Sequence, residues 1–375
     1  MSQPTRRFRH GLVLGKFYPP HAGHHLLIST AAAACDQVSV LVLAASVESI
    51  PLDLRVAWVR EAHPEPHVRV LGGYDDVPVD YDDPEIWEAH MAVFRSVLAS
   101  GGEHAARTPV DAVFTSEPYG DELARRFGAV HVPVDPCRSK VPCSSTLVRR
   151  DPVACWEYLS PAVRAWLARR VVVVGAESTG TTTMARALAA AYRARGGVWA
   201  ETRWVPEYGR TFTYEKLALA QAEALATGRP PATMDDLFWT TSDFVVIAER
   251  QLTEENRLAR LGSPVLFCDT DPLATTIWHE RYLGFRSPEV EAVAARARHD
   301  LWLLTSHEGV PFEQDGYRDG EHIRPWMTER FREELDKRGM PYVELTGSHE
   351  ERLRTAIAAV DELLARGWEF ADPLG

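Results

Sequence analysis

The chain has no Cys-x-x-Cys pair. Its five cysteines, Cys35, Cys137, Cys143, Cys155 and Cys268, are odd in number and scattered over 375 residues. This spacing argues against a disulfide framework and against zinc, and fits reduced thiols in the cytoplasm. Long apolar runs are absent too: nothing approaches the roughly 18–20 residues of a membrane span. The apolar run behind the basic N-terminus is too short for a signal peptide. A basic excess is also lacking. The formal net charge of -12 argues against a general nucleic-acid binder, which needs a basic face, but leaves room for a local basic pocket. There is no internal repeat and no low-complexity tract. What remains is an ordinary folded composition, 45% hydrophobic and 25% charged, on a chain long enough for two cores.

Short apolar runs alternate with helical periodicity. The spacing predicts strands over 10–16, 37–44, 68–71, 110–115 and 129–134, with helices over 24–34, 54–62, 84–99 and 120–127. Such βαβ alternation predicts an α/β fold with a parallel sheet, and ligands at the carboxyl ends of its strands. A helical stretch over 160–170 then runs into Val171-Val172-Val173-Val174, which reads as a buried central strand. The alternation restarts there, with strands expected at 264–268, 301–305 and 342–345 and a last helix at 350–367. The boundary is placed near Ala168, giving domains 1–168 and 169–375.

The stretch Gly15-Lys16-Phe17-Tyr18-Pro19-Pro20-His21-Ala22-Gly23-His24 lies between the first strand and the first helix. Free N–H groups and the dipole at a helix start favour anions. Two imidazoles there can donate to phosphate oxygens, and Gly23 permits close backbone approach. Either histidine taken alone reads equally well as a cap or core residue. A second element, Cys143-Ser144-Ser145-Thr146-Leu147-Val148-Arg149, places hydroxyls at a helix opening with an arginine one turn in, a cap that can also bind phosphate.

These two segments resemble the H-x-G-H and I-S-S-T-x-x-R motifs of a nucleotidyltransferase superfamily, with Cys143 where an aliphatic residue is usual. Together with Ser116-Glu117-Pro118-Tyr119-Gly120 they are similar to the nicotinamide mononucleotide (NMN) adenylyltransferase half of NadR-type proteins. The resemblance implies a Rossmann-like domain that transfers AMP from ATP to NMN, giving NAD and pyrophosphate. It implies that His21 and His24 act on the ATP phosphates. Gly15, Lys16, Phe17, Gly23, Ser145, Thr146 and Arg149 would complete the ATP site, and Mg²⁺ would bridge phosphate oxygens. Trp87 is a candidate to stack on nicotinamide, and reads equally well as a helix residue packed on the sheet.

A second glycine-rich turn follows the valine strand: Gly175-Ala176-Glu177-Ser178-Thr179-Gly180-Thr181-Thr182-Thr183. Its frame is that of a phosphate-binding loop, but Thr181 stands where a lysine normally reaches the β- and γ-phosphates. Leu266–Asp271 reads as an apolar strand ending in carboxylates. Asp315-Gly316-Tyr317-Arg318, followed by Arg324, reads as a segment able to bring arginines over a triphosphate. With Pro206-Glu207-Tyr208-Gly209-Arg210, this half resembles the ribosylnicotinamide kinase domain of the same family, a P-loop fold. The resemblance implies phosphorylation of ribosylnicotinamide to NMN. Thr182 and Asp269 would hold Mg²⁺, with Asp269 as metal ligand or base. Glu207 and Tyr208 would hold the acceptor, and Arg318 would stabilise the transferred phosphoryl. Without the lysine, this domain is also read as a nucleotide-binding regulatory module that has lost kinase chemistry; Arg186 or the arginines of 315–324 are candidate substitutes.

Some family members carry an N-terminal helix-turn-helix. Only about nine residues precede the first expected strand, so no operator binding and no DNA partner are expected, nor any membrane contact. ATP, NMN and ribosylnicotinamide are the expected partners, and a homo-oligomer is compatible with the sequence. A different H-x-G-H transferase, acting on pantetheine phosphate or glycerol phosphate, is disfavoured because such relatives usually lack a fused phosphate-loop domain.

Overall fold

The computed structural model describes residues 7–102, 108–313 and 320–374, and the chain divides into two units. The first comprises Met1–Val163 with Trp368–Gly375, the second Arg164–Gly367. The last eight residues, assigned from the sequence to the second domain, therefore pack with the first.

In the first unit, strands β1 (Phe8–Gly15), β2 (Cys35–Ala44), β3 (Val68–Tyr74), β4 (Ala112–Thr115) and β5 (Val130–Pro133) form one parallel sheet in the order β3-β2-β1-β4-β5. Both faces are covered. Helix α1 (Ala22–Ala34) buries Leu27 and Ile28, with Ala31 one turn on, against Val13, Val40 and Phe114. Leu27 and Ile28 each contribute roughly 1.5–3 kcal/mol on burial. Helices α2 (Leu52–Ala62), α3 (Pro84–Ser100) and α4 (Gly120–Phe127) supply much of the remaining cover. Of these, α3 and α4 pack Met91, Phe94 and Leu123 against Leu12, Leu41 and Val113. A short helix α5 (Ser145–Arg150) follows β5, and the division between units falls within α6 (Pro161–Leu167). Strand order reverses at β1, so the crevice at its carboxyl end is the place where such a sheet binds ligands.

The second unit repeats the plan. Strands β6 (Arg169–Gly175), β7 (Arg203–Val205), β8 (Val265–Asp269), β9 (Leu301–Thr305) and β10 (Tyr342–Leu345) form a parallel sheet ordered β10-β9-β6-β8-β7. Arg169 and Arg170, expected to end a helix, instead open β6. There the Asp300 carboxylate pairs with Arg169 at 2.6 Å and accepts from the Arg170 backbone N–H at 2.8 Å. Helix α7 (Thr181–Arg193) and the final helix α13 (His349–Ala365) lie side by side on one face of this sheet, packing Leu188, Tyr192, Ala356 and Val360 against Val171, Val173 and Phe267. Between them lie α8 (Tyr208–Ala226), α9 (Thr241–Ala259), α10 (Pro272–Leu283), α11 (Pro288–Ala294) and α12 (Arg324–Lys337). No helix among the described residues is long and apolar enough to cross a membrane.

Candidate active sites

At the start of α1 the two histidines cap the helix reciprocally. His21 is the N-cap: its Nδ1 accepts from the Gly23 N–H at 3.1 Å, and His24 Nδ1 accepts from the His21 N–H at 3.3 Å. A ring nitrogen that accepts carries no proton, so each imidazole holds its proton on Nε2. Burial first, and then Arg138 and His25, lower the His21 pKa to about 3, and His24 also lies well below the ordinary value. Both rings are therefore neutral at pH 7, with their Nε2–H donors available for a phosphate. A Cβ on Gly23 would meet His21 Cε1 at 2.8 Å, so only glycine leaves room for the His21 ring here.

Both rings line a cavity of about 440 Å³, together with Gly15, Lys16, Gly23, Ser145, Thr146, Arg149 and Trp87. The cavity thus gathers nearly all of the first-site residues expected from sequence. Ser145 Oγ donates to the Pro19 carbonyl at 3.0 Å and Arg149 Nη1 to the Tyr18 carbonyl at 2.7 Å, tying α5 to the β1–α1 turn. Phe17 differs: at φ 48° its side chain is buried against His24, ring centroids 4.7 Å apart, and it supports that imidazole from behind. Trp87 reaches the cavity but is 6% exposed, with its indole N–H on the Tyr81 carbonyl at 3.0 Å, so it is mainly a core residue.

Several further cavity residues had no role assigned from sequence, although Glu117 and Tyr119 stand in the Ser116–Gly120 motif. Tyr81 and Tyr119 stack at 5.6 Å, and His90 pairs with Asp75 at 2.7 Å. Arg138 contributes too, held by Glu117 and the Cys143 carbonyl. Beneath Lys16 lies a fully buried pair, Arg55–Glu48, at 2.5 Å. Glu48 also faces the Lys16 ammonium at 3.6 Å. Burial lowers the Lys16 pKa, and Glu48 opposes that shift.

In the second unit the loop 175–183 joins β6 to α7 as expected. Gly180 (φ 89°) and Ser178 (φ 57°) adopt left-handed backbone, and a Cβ at Gly175 would meet Thr305 Oγ1 at 2.2 Å. Gly175, Glu177, Ser178, Gly180, Thr181, Thr182, Thr183 and Glu207 line a cavity of about 260 Å³. Thr182 Oγ1 donates to Asp269 Oδ2 at 2.5 Å, and Asp269 Oδ1 is buried without a hydrogen-bond partner. Burial raises the Asp269 pKa, opposed by Thr182, Thr181 and Arg210. A hydroxyl and a carboxylate held together, with one carboxylate oxygen unsatisfied, are a hard-oxygen donor set that fits Mg²⁺.

Other expected residues lie elsewhere. Thr179 is buried, its hydroxyl donating to the Ala176 carbonyl at 2.7 Å beside Thr305, so it shapes the loop from beneath. Its carbonyl accepts from Arg352, a buttress that sequence reading missed. Tyr208 donates its N–H to the Gln251 side chain at 3.0 Å and packs near Phe212 rather than lining the cavity. Arg324 turns both terminal nitrogens onto the Val310 carbonyl at 3.0 Å, and Arg186 sits 5.9 Å over the Trp204 ring. Neither lines the cavity. Arg318 lies outside the described residues. Arg210 does line the cavity, from the first turn of α8.

The far wall of this cavity is aromatic, and it went unread in the sequence. Trp239 lies 5.2 Å from Tyr282 and 5.5 Å from Phe244, with Trp278 stacked on Tyr282 at 6.3 Å. Aromatic faces attract cations.

Comparison with known proteins agrees with this layout. Residues 170–352 match an AAA-domain family. The trifunctional NAD biosynthesis/regulator protein NadR of Escherichia coli (strain K12) is 24% identical over 329 residues, 84% of this chain and 73% of that protein. The NadR protein of Salmonella typhimurium matches with the same identity and coverage. A solved NadR structure in complex with NAD and AMP-PNP has the same fold, with TM-score 0.69 at 21% identity over 97% of this chain and 99% of that one. A NadR structure in complex with NR gives 0.67 at 21% identity, covering 98% and 99%.

Proposed function

We propose that this chain, a NadR-like protein along most of its length, serves NAD biosynthesis through two nucleotide-using sites. The first transfers AMP from ATP to NMN. The second phosphorylates ribosylnicotinamide to supply that NMN. The observation that carries the reading is the reciprocal histidine cap, which aims two neutral Nε2–H donors into a cavity that also holds Lys16 and Arg149.

In the first site an NMN phosphate oxygen attacks the α-phosphorus of ATP, and the bond to pyrophosphate breaks. Negative charge grows on the leaving group. His21 and His24, fixed by their Nδ1 bonds, donate to those oxygens without reorienting, as a preorganised oxyanion site does. Lys16 and Arg149 balance the rest. The cavity wall formed by Tyr81, Tyr119 and Trp87 faces the acceptor and supports binding of a flat ring.

In the second site the 175–183 loop holds the triphosphate, and Asp269 orients the acceptor 5′-hydroxyl or takes its proton. Thr182 and Asp269 would hold Mg²⁺, which draws phosphate charge together. Ribosylnicotinamide carries a pyridinium cation, and the wall of Trp239, Trp278 and Tyr282 suits it through cation–π attraction. A second reading is favoured by Thr181: a nucleotide-binding module without kinase turnover.

One experiment separates these readings. The chain is incubated with ATP, Mg²⁺ and either NMN or ribosylnicotinamide, and the products are resolved. NAD from NMN and NMN from ribosylnicotinamide are expected. NMN formed from ribosylnicotinamide is counted together with any NAD made from it. NAD from NMN but no product from ribosylnicotinamide selects the second reading, and no NAD from NMN overturns both.

A further inference from the structure

The last residues of the chain return to the first site. The Ala371 N–H donates to Ser49 Oγ at 3.2 Å, and its carbonyl accepts from the Tyr18 hydroxyl at 2.9 Å. Phe370 stands edge-on to the Tyr18 ring at 6.2 Å. These contacts anchor the segment on the same Tyr18 whose carbonyl holds Arg149. Beyond the anchor, Pro373 lines the cavity and the Lys16 ammonium donates to the Leu374 carbonyl. The Asp372 carboxylate is close enough to Arg149 to favour its charged form, alongside Tyr18 and Glu48, against the effect of burial.

Lys16 and Arg149 are the two cations that the adenylyl-transfer reading gives to the ATP phosphates. Here a peptide carbonyl meets Lys16, and the Asp372 carboxylate lies near enough to Arg149 to act on its charge. We propose that residues 369–374 form a strap that competes with the ATP phosphates for Lys16 and Arg149 at the first site. The proposal rests on reading that site as an ATP site.

The competition is unequal. A triphosphate brings several negative charges, whereas the strap brings one carboxylate and a carbonyl. The strap has a high effective concentration because it is tethered, so it sets a threshold rather than a block. If it is closed in about nine molecules of ten, the apparent KM for ATP is raised about tenfold, because only the open fraction is competent. The group behind the strap, Tyr18 on Arg55, is already fixed by the buried Arg55–Glu48 pair. Displacing the strap therefore leaves the histidine cap intact, and kcat should not change.

The test uses NAD formation from NMN by the full chain, a chain ending at Gly367, and Asp372→Asn. Truncation is expected to lower the KM for ATP several-fold with kcat unchanged, and D372N to lower it by a smaller factor. A synthetic peptide of residues 368–375, added to the truncated chain, should raise the KM again, competitively with ATP and not with NMN. An unchanged or raised KM in the truncated chain overturns the strap, as does peptide inhibition that ATP does not relieve. If circular dichroism finds the truncated chain unfolded, D372N decides, and an unchanged KM overturns the proposal. NAD formed at equal KM by all chains removes the strap alone, whereas no NAD from any chain removes the ATP-site reading with it.

Discussion

The most exposing test of the first site is Glu48→Gln, a change in a residue that touches no substrate. The Glu48 and Arg55 side chains are both 0% exposed. The guanidinium donates to Glu48 Oε2 at 2.5 Å, to the Ile50 carbonyl from two nitrogens at 2.9 and 2.5 Å, and to the Lys16 carbonyl at 3.1 Å. Glutamine keeps the shape and one acceptor but removes the charge, leaving Arg55 buried without its counter-ion. Breaking a buried pair costs about 3–5 kcal/mol. The retained carbonyl contacts place this case near the lower end, about 3 kcal/mol. For a unit of this size that is a fall in Tm of roughly 6–12 °C. Calorimetry should show the fall in the transition of the first unit only, while the second unit melts as before. Because Glu48 also sustains the Lys16 charge, the KM for ATP in NAD formation should rise. Glu48→Leu with Arg55→Met, which removes both charges, should recover most of the stability. A cost below about 1 kcal/mol for E48Q would falsify the argument that this pair is electrostatically coupled in a dry site. A double variant as unstable as the single would trace the cost to packing.

The remaining predictions concern protons and the second site. His21, with a folded pKa of about 3, His25 at about 4 and His24 well below the ordinary value are held neutral by burial. Their contribution to stability is complete above the unfolded value near 6.5 and is lost as pH falls below it, by about 1.4 kcal/mol per histidine at pH 5.5. His299, in the second unit, is raised: burial is outweighed by Glu255 and Asp271, so its contribution is kept in acid. Melting the chain between pH 7.5 and 5.5 should therefore lower the first transition relative to the second, and parallel shifts would contradict the assignment. Thr181→Lys places an ammonium at the mouth of a loop whose Asp269 has an unsatisfied oxygen. Phosphorylation of ribosylnicotinamide should rise by roughly 10²–10³, as for a gained transition-state donor; a wild type already at full rate, with nothing added by lysine, refutes the idea of a weakened loop. Trp239→Leu should raise the KM for ribosylnicotinamide up to about thirtyfold, the worth of a desolvated cation–π contact, and leave the KM for ATP alone. An unmoved acceptor KM rules out that wall as the pyridinium subsite.

Much of the fold could be read because it is written in local patterns. The runs Gly11–Leu14 and Val171–Val174 are apolar without alternation, as strands covered on both faces must be, and they became the central strands β1 and β6. The glycine turns after them were legible for the same reason: Gly23 and Gly175 sit where a Cβ would strike a neighbouring side chain. The short strand β7, Arg203–Val205, carries no comparable signal, because three residues show no period and its pairing with β8 is a tertiary fact.

The parts of the sites that escaped reading are those whose meaning depends on distant partners. Arg55 sits in the stretch Leu-Asp-Leu-Arg-Val-Ala-Trp, where a charge looks like an ordinary exposed helix position; it is buried because Glu48, seven residues earlier, waits beneath Lys16. The aromatic wall draws Trp239 and Phe244 from one segment and Trp278 and Tyr282 from another, near enough in sequence to notice but meaningful only once α9 and α10 pack together. Arg324 and Arg186 fail in the opposite direction. As cations near a phosphate loop they were attractive in sequence, yet one is taken up by the Val310 carbonyl and the other by the Trp204 face. A lysine in the loop itself is aimed by the loop backbone, whereas a cation borrowed from another element must be released by its own partners first. Arg210 lines the second cavity and also favours the Asp269 carboxylate, so among the described residues the first turn of α8 is better placed to compensate for Thr181 than α7 or α12.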